Sequence, residues 1–169
     1  AGPGSYSRIT PFNGNWMLLE PSSDTIYTLM PDCSLRPFIA RTPPIHTMDP
    51  EVFLIPRLIS NRYYFMEGIK NVYDFRKEEG FPKTYFVYDT QEKEFSRYII
   101  YNGDYTSKNE FYMVMLTPIN AQGESWATLN AFDLCRDYQK GKLKGKLKEV
   151  AATLEEDDNR VVMLVKSKK

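Results

Sequence analysis

Chemistry in this sequence starts from a shortage. There is one histidine in 169 residues, so any mechanism that needs two imidazoles is excluded, as is a His-rich metal site. That residue, His46, lies in the segment Arg41 to Glu51 (RTPPIHTMDPE) with Arg41, Asp49 and Glu51. His46, Asp49 and Glu51 are the one trio that could present an imidazole and two carboxylates to a single cation. A lone His beside acids is common by chance, and three prolines fill the same stretch, so the plainer reading is a stiffened connection with its polar groups turned to water. Arg41, His46, Asp49 and Glu51 are therefore carried as a ligand-binding group, with no metal, no cofactor and no catalytic residue assigned.

Other chemistries find less support. A Ser or Cys nucleophile would have to use His46. There is no Gly-x-Ser-x-Gly elbow, phosphate-cradling loop or dinucleotide fingerprint, and the nine glycines are dispersed. Cys33 and Cys135 are too far apart in sequence to suggest a zinc signature or a disulfide framework, and their pairing is left open. Lys140, Lys142, Lys144, Lys146 and Lys148 form a basic run, answered by Glu155, Glu156, Asp157 and Asp158. Twenty-two basic residues balance 22 acidic ones, so no field draws the chain to nucleic acid. No apolar run approaches the roughly 18 residues of a membrane helix. Aromatics make up 14% of the chain. Most fall within expected strands and read as packing; some tyrosines at strand ends could stack on a sugar or a protein.

The elements that would position these groups are mainly strands. Asn15 to Glu20, Thr25 to Met30 and Leu35 to Ala40 read as an antiparallel meander broken by Pro21-Ser22-Ser23-Asp24 and Pro31-Asp32-Cys33-Ser34. Val52 to Leu58, Arg62 to Ile69, Thr84 to Asp89 and Phe95 to Tyr101 read as a second one, with Asp74 to Pro82 as a charged excursion. The two resemble each other at an offset of 59 to 60 residues, as radially repeated four-stranded blades do. Phe111 to Thr117 and Ser125 to Leu129 complete the expected strands before the helices. Asn130 caps a helix with Ala131, Leu134, Cys135 and Tyr138 on one face, stopped by Gly141. Leu143, Leu147, Val150 and Leu154 mark a second helix. Val161 to Val165 is an uninterrupted apolar run, which predicts burial on both faces.

Several pieces resemble the six-bladed β-propeller family of Bacteroidetes, often envelope lipoproteins. They are Gly2-Pro3-Gly4-Ser5-Tyr6, Ser23-Asp24-Thr25-Ile26-Tyr27, Pro37 to Pro43 with Asp49-Pro50-Glu51, and Arg62-Tyr63-Tyr64-Phe65. The ending is the most specific: Lys140 to Glu149, then Asp157-Asp158-Asn159 and Val161 to Lys166, with Arg160 where the family has proline. The resemblance corresponds to the C-terminal half of a family member. It implies a mainly β propeller segment of about three antiparallel blades (6–42, 43–105 and 106–169), with two short helices inserted at about 130–157. It further implies a cell-envelope setting, as a periplasmic or outer-membrane lipoprotein. The function expected is a non-catalytic binding or scaffold module for a glycan or an envelope protein. The alternative is a hydrolase or lyase whose site is completed by blades this chain lacks. The last strand is expected to pair with such missing N-terminal blades or with another chain.

Overall fold

The computed structural model describes residues 9–12, 14–76, 79–120 and 124–166. It is mainly β, with several antiparallel sheets and two helices. Its strands are β1 (Ile9–Phe12), β2 (Asn15–Leu18), β3 (Thr25–Leu29), β4 (Leu35–Ala40), β5 (Val52–Ile59), β6 (Tyr63–Lys70), β7 (Tyr73–Asp74), β8 (Glu79–Gly80), β9 (Lys83–Asp89), β10 (Glu94–Arg97), β11 (Ile100–Tyr101), β12 (Glu110–Phe111), β13 (Thr117–Pro118), β14 (Ser125–Leu129) and β15 (Val161–Val165). The helices are α1 (Ala131–Gln139) and α2 (Gly145–Ala151). The chain divides into two compact units, one running to Tyr98 and taking in Asn120, the other covering Ile99–Ile119 and resuming at Glu124.

The first unit holds two four-stranded meanders. In the first, β1-β2-β3-β4 lie in chain order, one strand more than the sequence meander suggests. In the second, the order is β5-β6-β9-β10, with the small β7–β8 hairpin forming from the charged excursion. Met17, Leu19 and Ile26 from the first sheet pack with Ile55, Ile59 and Ile69 from the second, so the two sheets share a core. Phe12 on Phe38 (centroids 4.7 Å apart) and Phe38 on Tyr64 (5.4 Å) extend that contact. Between the sheets the proline-rich segment forms only a short 3₁₀ turn, Ile45–Thr47, and its Thr42–Pro43 and Asp49–Pro50 peptides are cis.

In the second unit β13-β14-β15 form a three-stranded sheet, and Leu129 and Val161 pack against a core of Leu134, Leu143 and Ala151 from the helical hairpin. The Asn130 side chain accepts from the Phe132 N–H at 3.0 Å, as the cap expectation required, and Gly141 (φ +65°) ends the turn after α1. Two expectations change. Phe111 to Thr117 is not one strand: β12 gives way to a 3₁₀ turn at Met113–Met115 before β13, because Met113 and Leu116 turn into the interior. Val161 to Val165 is not buried on both faces. Among the described residues β15 pairs only with β14, and it alternates half-buried Val161, Met163 and Val165 with exposed Val162 and Leu164.

Candidate functional site

The segment Arg41 to Glu51 is tied to its surroundings by hydrogen bonds and one ion pair. The Asp24 carboxylate accepts from the Ile45 N–H at 2.6 Å and lies 3.8 Å from the Arg41 guanidinium, which also donates to the Val52 carbonyl. Burial lowers the Arg41 pKa, offset in part by Asp24. Glu51 accepts from the Asn71 side-chain amide at 3.1 Å. His46 and Asp49 are exposed. Arg41 and Glu51 therefore fasten the connection to the strands on either side of it. Among the described residues no three His, Cys, Asp or Glu side chains gather as metal ligands.

A denser constellation lies on the second sheet, around a residue that sequence reasoning passed over. Glu67 sits in the middle of β6, between Ile55 on β5 and Tyr85 on β9, and has no exposed surface. A carboxylate so placed must be paired. Its Oε2 accepts from Arg57 Nε at 2.8 Å and Nη2 at 2.5 Å, and Lys83 Nζ lies 2.8 Å from Oε1. Arg57 reaches it because the β5–β6 register shifts between Pro56 and Leu58, and a bulge there re-aims the extra residue. Pro56 is tolerated because β5 is an edge strand.

Aromatic rings line the same face, since cross-strand partners and alternate residues share a side. Tyr98 meets Phe65 edge-on at 5.2 Å and Tyr85 at 6.1 Å, and Tyr63 lies 6.1 Å from Phe65. Burial, with the Tyr85 and Glu67 charges, pushes the Tyr98 phenol up to about 12. At the rim Arg62 forks onto Asp89 (2.8–3.2 Å) and covers the Tyr63 ring at 4.9 Å. The Arg62 bonds hold the Asp89 carboxyl below its ordinary value, helped by the Gln91 and Glu92 N–H groups. The shelf is thus aromatic, and its two carboxylates are clamped by cations. The signal for Glu67 was present as an acid inside the apolar run Tyr63-Tyr64-Phe65-Met66-Glu67-Gly68-Ile69. Its partners are 10 residues before and 16 after it, out of reach without the register.

The second unit repeats the pattern once. Asp137 on α1 accepts from the Tyr105 hydroxyl at 3.1 Å and lies 3.4 Å from Lys142 Nζ. Burial and Asp137 push the Tyr105 phenol up to about 12.

No family model and no curated protein matches the sequence. Among solved structures, the chain is similar to the crystal structure of a "Putative exported protein" from Bacteroides fragilis, with a TM-score of 0.61 and 14% identity. The match covers 95% of this chain and 49% of the other, so the chain spans about half the length of that protein. At that identity the likeness concerns the fold.

Proposed function

We propose that the chain is a propeller segment acting as a non-catalytic binding or scaffold module of a bacterial cell-envelope protein. Two meanders of four strands sharing one core support reading the sheets as blades. The exported neighbour from Bacteroides supports the envelope setting. One observation carries the non-catalytic part: the acids of the aromatic shelf are held by Arg57, Lys83 and Arg62, and the large phenol shifts run upward to about 12. Acid–base catalysis wants a group poised near the working pH, whereas the Asp89 carboxyl is held low and the Tyr98 and Tyr105 phenols are pushed up. Flat rings with polar rims beside fixed charges suit recognition of a sugar or a protein surface.

The test incubates the chain with envelope polysaccharides and reads both retention and polymer length. Saturable retention at constant length is expected. New reducing ends or unsaturated sugars, abolished by Glu67→Gln, would establish a hydrolase or lyase instead.

A further inference from the structure

The aromatic shelf of the second sheet hides its acids and shows its cations. Glu67 has no exposed surface and the Asp89 side chain is 16% exposed, whereas Lys83 and Arg62, which clamp them, are 45% and 41% exposed. Strand alternation puts Tyr63, Phe65 and Glu67 of β6 on one side, with their β9 partners Asp89, Val87 and Tyr85. Lys83 reaches Glu67 toward one end of that side, and Arg62 covers Tyr63 at the other. Tyr63 and Glu67 are four residues apart on β6, a run of about 13 Å. The half-buried rings of Tyr63, Phe65, Tyr85 and Tyr98 occupy the space between. Exposed Glu92 and Glu94 stand at the β9–β10 turn, Glu94 opposite Asp89. They repel an anion from the outer hairpin and leave β6 as its track.

We propose, resting on the binding role above, that this shelf takes an acidic polysaccharide, a chain of sugars bearing carboxylates, laid along β6. Sugar faces give apolar patches to the rings, and sugar hydroxyls meet the polar rims. Neither cation is exhausted by its internal partner. An ammonium has three donors and a guanidinium five. Lys83 meets only Glu67 Oε1, and Arg62 donates to Asp89 through Nε and Nη2. The sheltered carboxylates also hold both long side chains in place, so less rotamer freedom is lost when a ligand arrives. A neutral glycan gains the rings alone. An acidic polymer gains the rings and both cations, where a single sugar acid meets one. An acidic peptide offers the charge without the flat sugar faces.

Binding of the chain to immobilised polygalacturonate, hyaluronan, fully methyl-esterified polygalacturonate and poly-L-glutamate, at low and high salt, tests this. At least one of the two uronate polymers is expected to bind saturably, and more weakly as salt rises. The esterified polymer and poly-L-glutamate should each bind at least about tenfold more weakly than that uronate polymer. Lys83→Gln and Arg62→Gln should each weaken uronate binding about fivefold, the value of one partly exposed ion contact. Combined, they should weaken it about 25-fold, since contacts this far apart act independently. Equal binding of the esterified polymer overturns the acidic-sugar proposal and leaves a glycan-binding module standing. Equal binding of poly-L-glutamate overturns it in favour of an acidic protein partner. Failure of both uronate polymers overturns it as well, while retention of envelope polysaccharides decides the broader reading separately. Should Lys83→Gln alter the far-UV spectrum, Arg62→Gln and the esterified polymer decide.

Discussion

At the scale of single residues the most informative group is Glu67. An ion pair held this deep contributes little net stability over an apolar pair of similar size, because the desolvation of both charges offsets their attraction. Removing one partner is different, since it strands the other. Glu67→Ala is expected to destabilise the first unit by about 3 kcal/mol in urea titrations. The double replacement Arg57→Leu with Glu67→Met should recover most of that loss. Asp89 makes a pH prediction. Its carboxyl is held below the ordinary 3.8, first by the Arg62 hydrogen bonds. A depressed folded value means the contribution is present above the ordinary pKa and fades as pH falls through the lowered one. Asp89→Asn should therefore have a lower urea midpoint than wild type at pH 6, and the gap should close below about pH 3.8. The sequence singles out Arg41, His46, Asp49 and Glu51 by proximity along the chain, whereas Glu67 and its partners meet only across strands. In space Arg41 turns to Asp24 and Glu51 to Asn71.

At the scale of elements, most strands were legible because alternation and turn residues agree: β3, β4, β6 and β14 fall where Thr25, Leu35, Arg62 and Ser125 open their runs. The failures were apolar runs whose period cannot be read. Phe111 to Thr117 became the end of one short strand, a 3₁₀ turn and the start of a second short strand, and β15 proved half-buried, since a continuous apolar run does not say how many faces are covered. The helical hairpin depends on acceptors that its own termini do not supply. The α2 cap residue, Lys144, makes no side-chain capping bond. Asp104 substitutes from the preceding loop: its carbonyl accepts from the Lys144 N–H at 2.8 Å and its Oδ2 from the Leu147 N–H at 3.2 Å. Asp104→Ala is expected to cost about 1 kcal/mol, the usual value of a lost helix cap. Faster amide exchange confined to Gly145–Ala151 would locate that cost. Exchange that rises uniformly across the second unit would mean that Asp104 is not a local cap.

At the scale of the whole molecule, the chain supplies sheets whose outer faces remain apolar. Burying a large apolar side chain is worth about 1.5–3 kcal/mol. Ile9, Trp16, Leu35, Val162 and Leu164 therefore represent a sizeable unrealised driving force. That is more than scattered surface residues explain, because the side chains fall on two continuous faces. The two tryptophans of the sequence, Trp16 and Trp126, stand one on each face. The binding role is tested most directly by incubating the chain with envelope polysaccharide and reading retention and polymer length together. Saturable retention at constant length is the predicted result, and shortening of the polymer that Glu67→Gln abolishes would contradict it.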